Sequence, residues 1–168
     1  MLPLVEPYII DANIFMQAAR HYYSFDFAKP FWDGLVKFAE DGRILSLDKV
    51  YDEIMRGNDA LKKWSEVEFR EHFKKSETIP ITEHYAELCI WAESEMQYDR
   101  EAKDVFMKRH EADAWVIAYA KMYNCTVVTS EVYDAKITVS IPIPNVCDAF
   151  KIPYCNTYQM IRNLGFAF

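Results

Sequence analysis

The feature that most constrains this chain is a series of short apolar segments that alternate with helical patterns. Tyr8–Ile10 is β-prone and stops abruptly at Asp11, Ile44–Leu47 is a second such segment, and Cys125–Val128 is a third, ending at Thr129. Continuous apolar strands of this kind are typical of parallel sheets that are covered on both faces. Because strands alternate with helices, we predict an α/β fold of three α/β/α layers around a central parallel sheet.

The spacing of apolar residues, with glycine and proline as boundaries, predicts the helices. We expect helices over residues 12–20, 30–40, 48–56, 82–96, 112–122, 145–150 and 157–164, an extended loop over 141–144 and an edge strand over 152–155. The charged, helix-prone stretch of about residues 58–78 is predicted to be an inserted helical arm. We treat residues 1–168 as a single domain.

Composition narrows the class of protein. About half of the residues are apolar (51%), which is enough for one core, and the four cysteines lie far apart with no C-x-x-C pair. We therefore expect reduced thiols that are mostly buried. The formal net charge of −7 argues against a protein that coats nucleic acid through basic patches, although a cation bound to carboxylates reverses the local field.

The first residues show no export signal, because Glu6 stands where a signal peptide needs basic residues and the apolar run ends at Asp11. No apolar stretch approaches the roughly 20 residues of a membrane-spanning helix. We expect a cytoplasmic protein.

Four acidic residues fall where a parallel sheet can bring them together. Asp11 and Glu131 follow strands, Glu53 lies on the helix after the second strand, and Asp113 is near a helix start. Ligand sites in open α/β sheets lie outside the carboxyl ends of the strands. Clustered carboxylates repel one another unless a cation neutralises them, and carboxylate oxygens suit Mg²⁺ or Mn²⁺. Such ions activate water for phosphodiester hydrolysis, and the chain lacks the usual motifs of a nucleophilic side chain.

Several motifs carry a family resemblance. They are Y-I-I-D-A-N-I-F at Tyr8–Phe15, V-Y-D-E-I at Val50–Ile54, E-A-D-A-W-V-I-A-Y-A at Glu111–Ala120 and V-V-T-S-E at Val127–Glu131. Together they resemble a PIN domain over nearly the whole chain. The chain is most similar to a bacterial branch of PIN-like proteins with a D-A-N-I-F start and a tail like I-P-I-P-N-V-C-D-A-F.

The resemblance implies a Mg²⁺- or Mn²⁺-dependent ribonuclease, commonly the toxin of a bacterial toxin–antitoxin pair and often a homodimer. Our first hypothesis is an endoribonuclease that cuts single-stranded RNA. By position, Asp11, Glu53 and Asp113 match the three recurring metal-site acids, with Asp11 as the leading ligand. Asn13 and Thr129 match the supporting polar residues. PIN domains usually have an aspartate two residues after the threonine; here that position is Glu131.

Other interpretations stay open at this point. Asp11 can simply cap the following helix, Asp134 is the alternative fourth acid, and Glu111 is expected to be solvated because a helix would point it away from Asp113. A weakly catalytic module that binds a protein partner, or a nuclease for DNA or structured junctions, also fits the acidic composition. The basic residues of the arm can contact RNA with Trp64 stacking on a base, or they can form a mixed-charge solvated face with Trp64 turned inward.

Overall fold

The computed structural model describes residues 6–168. A five-stranded parallel sheet lies at its centre, in the order β3-β2-β1-β4-β5. The strands are β1 (Tyr8–Ile10), β2 (Ile44–Leu47), β3 (Phe73–Lys74), β4 (Thr126–Val128) and β5 (Tyr154–Cys155). The predicted α/β/α fold with a central parallel sheet is confirmed.

Helices occupy most of the chain between the strands. They are α1 (Ala12–Gln17), α2 (Lys29–Glu40), α3 (Asp48–Met55), α4 (Ala60–Val67), α5 (Ile79–Ser94), α6 (Arg100–Phe106), α7 (Ala112–Tyr123), α8 (Ile143–Phe150) and α9 (Thr157–Leu164). A π-helix (Ala18–Tyr22) follows α1, and a 3-10 helix (Arg70–His72) precedes β3. α9 agrees with its prediction to the residue, since Asn156 and Gln159 form a capping box and Gly165 ends the helix with a positive φ.

The core explains the continuous apolar segments. Ile9 and Ile10 of β1 and Val127 and Val128 of β4 have no exposed surface, because helices cover both faces of the sheet. On the α7 side, seven of the twelve helical residues are buried. This helix contacts the sheet on one side and α3, α5 and α8 on others, so its apolar pattern is broader than an amphipathic stripe.

The predicted helical arm differs from the structure. Its helix ends at Val67, and Phe73–Lys74 pairs with β2 as an edge strand of the sheet. Trp64 is buried, with its ring 4.8 Å from that of Trp32 and 5.0 Å from that of Phe69. The interpretation in which Trp64 stacks on a base is therefore wrong, and the aromatic cluster ties α4 to the core.

Other helix boundaries also differ from the prediction. α6 lies in a stretch for which no helix was predicted, α5 begins at Ile79 with Pro80 inside its first turn, and α8 begins at Ile143 within the predicted loop. A proline at the first helical positions lacks only an N–H that has no helical partner. Pro80 in α5 and Pro144 in α8 are therefore compatible with the starts of these helices.

Cys125 and Cys147 are buried thiols, and Cys89 and Cys155 are half-buried. None of the helices between residues 6 and 168 combines the length and apolar character that crossing a bilayer needs. Residues 1–5, on which the expected lack of an export signal partly depends, lie outside the described part of the chain.

Candidate functional site

The strand order reverses beside Asp11. The chain leaves β1 toward β2 on one side and returns through β4 on the other, so the connections diverge between β1 and β4. The carboxyl ends of strands at such a reversal are the usual ligand site of open α/β sheets. Asp11 follows β1 directly and its N–H donates to the Val128 carbonyl at 3.2 Å, which fixes it at this reversal.

The side chain of Asp11 both caps a helix and has an unused oxygen. Its Oδ1 accepts the N–H of Ala12 at 2.8 Å as the N-cap of α1. Its Oδ2 is buried and accepts no hydrogen bond from the described residues, although only 1% of the residue is exposed. A buried carboxylate oxygen without a partner is costly. The capping interpretation is thus correct for one oxygen, and the other has no partner among the described residues.

The residues after β4 contribute the second carboxylate of the candidate site, that of Glu131. Thr129 is buried, its Oγ1 accepts the N–H of Glu131 at 3.1 Å, and the carboxylate of Glu131 accepts the N–H of Ile143 through Oε2 at 2.7 Å. Thr129 therefore supports the turn that directs Glu131 back toward the strand ends. The hydrogen bond from Ile143 at the start of α8 holds the glutamate in place.

Glu53 on α3 and Asp113 on α7 contribute the other two carboxylates of the candidate site. Oε1 of Glu53 on α3 accepts the N–H of Ala112 at 3.2 Å, so this glutamate lies against the first turn of α7, where Asp113 is found. Asp113 and Glu131 both line a cavity of about 370 Å³. Asp113 is half-buried.

The pKa values show that the four carboxyls interact electrostatically. Burial, together with the charges of Glu131 and Glu53, raises the pKa of Asp11 to about 7, and the backbone N–H groups of Ala12 and Asn13 act in the opposite direction. Burial, followed by the charges of Asp11, Glu131 and Glu53, raises the pKa of Asp113 well above its usual value. The pKa values of Glu53 and Glu131 are also raised, mainly by burial. Such shifts are typical of functional sites.

Asp134 lies outside this group. Its Oδ1 accepts the N–H groups of Lys136 and Ile137, and its own N–H donates to Asn145, so it shapes a turn. Of the two alternatives for a fourth acid, Glu131 is the one whose charge acts on Asp11 and Asp113. Asn13 is exposed on the first turn of α1.

Glu111 was expected to be solvated and to point away from Asp113; its side chain is 35% exposed, but it lies on the same side of α7 as Asp113. It is the N-cap residue of α7, is half-buried and lines the same cavity as Asp113. Its charge raises the pKa of both Asp113 and Glu53. The helical spacing argument failed because Glu111 precedes the helix and has extended backbone angles.

The carboxylates do not form a finished metal site. Between residues 6 and 168, no three His, Cys, Asp or Glu side chains form a group that can hold a metal ion as they stand. Backbone N–H groups hold Asp11, Glu53 and Glu131 by one oxygen each. The unpaired Oδ2 of Asp11 and the all-carboxylate donor set nevertheless fit a hard divalent cation, provided that the longer glutamate side chains rotate toward it.

Comparisons with known proteins bear on the fold. A family model described as "Domain of unknown function (DUF4411)" matches residues 8–168. The comparison with curated proteins gave no match. A chain in the crystal structure of VapBC2 from Rickettsia felis, bound to a DNA fragment from their promoter, is similar in fold, with a TM-score of 0.51 and 17% identity over 89% of this chain and 97% of that chain. With the observed sheet and helical layers, this likeness confirms a PIN-like α/β/α fold.

Proposed function

We propose that this chain, which belongs to the DUF4411 family, is a metal-dependent endoribonuclease that hydrolyses phosphodiester bonds of single-stranded RNA. The observation that carries the proposal is the buried, unpaired Oδ2 of Asp11 at the strand reversal, beside carboxyls that raise its pKa. Mg²⁺ or Mn²⁺, when bound there, would supply an activated water and a counter-charge for the phosphate. The cytoplasmic location expected from the sequence belongs to the same proposal.

Four side chains would hold the cation in this proposal. Asp11 contributes its unpaired oxygen from the sheet edge, Asp113 contributes from the first turn of α7, and Glu53 and Glu131 reach in from α3 and from the turn after β4. Thr129 supports Glu131 through its hydroxyl. We assign Asn13 a supporting polar role because it lies on the first turn of α1, two residues after Asp11.

The backbone hydrogen bonds of the two glutamates set how they can act. Glu53 is held by Ala112 at 3.2 Å, whereas Glu131 is held more tightly by Ile143 at 2.7 Å. Only Oε2 of Glu131 accepts that N–H group, so Oε1 can act as the ligand while the hydrogen bond keeps the side chain in place. Because the carboxyls repel one another, binding of a cation would also favour their ionised forms.

Mutation of two ligands tests the nuclease activity. We expect the purified Asp11→Asn/Asp113→Asn double variant to keep its circular dichroism spectrum and to lose Mn²⁺-dependent cleavage of a single-stranded RNA. Asp134→Asn is the matched control, because the asparagine oxygen can still accept the turn hydrogen bonds outside the site. Undiminished cleavage by the double variant would show that these acids are not the metal ligands.

We further propose that the chain is the toxin of a toxin–antitoxin pair, acts as a homodimer and binds a small antitoxin protein. The support is the toxin-type resemblance of its motifs together with the fold likeness to a chain of VapBC2. Expression in bacteria should arrest growth, and co-expression of the partner encoded beside it should relieve the arrest. Growth that continues unaffected, with soluble protein present, would exclude the toxin role.

A weakly catalytic module that binds a protein partner is the second candidate. The specific observation in its favour is that no three of the described side chains form a ready metal group. Isothermal titration separates the two functions. Uptake of Mn²⁺ at millimolar concentration supports the nuclease, and its absence supports the binding module; running RNA, DNA and a branched duplex in one cleavage assay tests a different nucleic acid substrate.

A further inference from the structure

The four acids Asp11, Glu53, Asp113 and Glu131 are together called the acidic centre. Three surface cavities lie in succession beside the carboxyl ends of the strands, starting at this centre. The first, about 370 Å³, contains Asp113 and Glu131. The second, about 430 Å³, is also lined by Glu131 and continues past Ser130 to Asn156. The third, about 220 Å³, shares Ser130 and Asn156 with the second. Neighbouring cavities share lining residues, and we call the three cavities together the edge groove.

The far end of the edge groove has two exposed tyrosines as its walls. Tyr22 is 56% exposed and Tyr158 is 51% exposed, and their rings meet nearly at right angles with centroids 6.4 Å apart. Tyr23 lies in the same cavity but is stacked on Phe31 at 4.1 Å, so it belongs to the packing of the core. Tyr22 and Tyr158, which we call the tyrosine pair, therefore keep ring surface that no core contact uses.

The backbone at Tyr22 is irregular in a way that supports a functional role. Tyr22 ends the π-helix Ala18–Tyr22, which closes when the N–H of Tyr23 donates to the carbonyl of Ala18 at 2.7 Å. The indole N–H of Trp32 donates to the carbonyl of Tyr23 at 2.6 Å and fixes this end. π-helices are rare and occur frequently at functional sites. Here the irregular turn holds Tyr22 opposite Tyr158 at the mouth of the cavity.

We infer that the tyrosine pair is a subsite for one unpaired nucleobase of the chain whose phosphodiester lies at the acidic centre. The placement of the phosphodiester at the acidic centre rests on the proposed nuclease function, whereas the binding of a base by the tyrosine pair does not. Nucleobases stack on aromatic side chains whatever their sequence, and a base carries no charge that the net charge of −7 would repel. The cavity, about 220 Å³, is smaller than the roughly 300–1,000 Å³ of sites for larger ligands and suits a single ring system.

Polar groups at the cavity fit the same ligand. The half-buried amide side chain of Gln17 lies on the cavity wall and can both donate to and accept from the edge of a base. Since the bases of a duplex are stacked and paired, they must be extruded before they can enter such a pocket. The tyrosine pair therefore selects single strands, whether the base comes from RNA or from DNA.

Titration with a neutral nucleoside tests the subsite without metal or catalysis. Adenosine is added to the metal-free full-length protein, and binding is followed by tyrosine fluorescence and by two-dimensional NMR. We expect shifts at the tyrosine pair and an affinity that is insensitive to salt. Tyr22→Ala and Tyr158→Ala should each weaken binding roughly 5- to 150-fold, the range for loss of one base-stacking contact.

Two variants control for structural effects. Tyr158→Phe keeps the ring and should keep the affinity, and Tyr123→Ala removes a tyrosine of similar exposure (46%) at the C-terminal end of α7. Tyr22→Ala and Tyr158→Ala replace side chains that are more than half exposed, so the melting temperatures of these variants should stay near that of the parent. A parallel titration with deoxyadenosine identifies the source: equal affinities indicate recognition of the base alone, and preference for adenosine assigns the subsite to RNA.

The result that overturns the inference is adenosine binding that is absent, or that both alanine variants leave unchanged. Its failure is separable from that of the nuclease. If adenosine binds at the tyrosine pair but the protein hydrolyses no RNA, the base site stands and the proposed function fails. If RNA is hydrolysed and adenosine does not bind there, only the subsite is refuted.

Discussion

Replacing Asp11 by asparagine should stabilise the metal-free protein at neutral pH while removing its response to metal. The carboxyl of Asp11 is buried, its Oδ2 has no partner among the described residues, and Glu131 and Glu53 repel its charge. Asparagine keeps an oxygen that can accept the N–H of Ala12, as Oδ1 of Asp11 does, and carries no charge. The same substitution therefore relieves repulsion and destroys a proposed ligand.

The magnitude follows from the pKa. Between the usual 3.8 and the folded value of about 7 there are about three pKa units, and at about 1.4 kcal/mol each this corresponds to about 4 kcal/mol. The new amide N–H₂ group takes the position of the unpaired oxygen, and a buried unsatisfied donor costs about 1–3 kcal/mol. The net gain is about 1–3 kcal/mol at neutral pH, or roughly 2–4 °C in melting temperature per kcal/mol for a chain of this size.

The stability difference between Asp11→Asn and the parent should depend on pH. A carboxyl whose folded pKa is raised contributes stability below its unfolded pKa of 3.8 and loses it as the pH rises through about 7. The variant should therefore be no more stable than the parent at pH 4, and its advantage should grow between pH 4 and pH 7. Urea unfolding in EDTA at several pH values measures this difference.

Mn²⁺ should reduce the stability advantage of Asp11→Asn over the parent. At a Mn²⁺ concentration ten times the dissociation constant, the parent gains about 1.4 kcal/mol, whereas Asp11→Asn should gain nothing. Asp134→Asn serves as the control, since Asp134 is a turn residue and should respond to Mn²⁺ as the parent does. A stability difference that does not change with pH, or an Asp11→Asn protein that Mn²⁺ stabilises like the parent, would refute the reasoning.

Three further outcomes test other parts of the structure. Asp134→Ala removes the acceptor for two backbone N–H groups and should cost about 1–2 kcal/mol in urea unfolding, yet leave RNA cleavage unchanged; loss of cleavage in folded protein would return Asp134 to the site. Trp64→Ala should cost about 3–5 kcal/mol, because the ring is buried against Trp32 and Phe69, and a cost below 1 kcal/mol would contradict its place in the core. Hydrogen bonds from Arg109 and Lys49 lower the pKa of Glu77 to about 2, so part of the stability should be lost as the pH falls from 4.5 toward 2. Glu77→Gln should abolish that part of the acid transition, and an identical acid transition in the variant would show that the ion pairs contribute nothing.

Much of the fold was predictable because the signals are local. The apolar segments of β1, β2 and β4, and the capping box and glycine of α9, each lie within a few residues of the structure that they determine. β3 was not predictable from its own residues, since Phe73–Lys74 is only two residues long and becomes a strand by pairing with β2. α6 lay in a charged stretch, where burial of Ala102 and Phe106 against the rest of the protein supplies what the pattern lacks.

The sequence by itself determined that acids would follow buried strands, because the alternation of strand and helix and the abrupt end of β1 at Asp11 are written in neighbouring residues. Only the tertiary structure decided that the charge of Glu131, and not that of Asp134, acts on Asp11, and that Glu111 lines the cavity. Those outcomes depend on distances between elements far apart in the chain, to which neither periodicity nor spacing responds. The same holds for Tyr22 and Tyr158, which 135 intervening residues separate in the sequence and an irregular π-helix brings together.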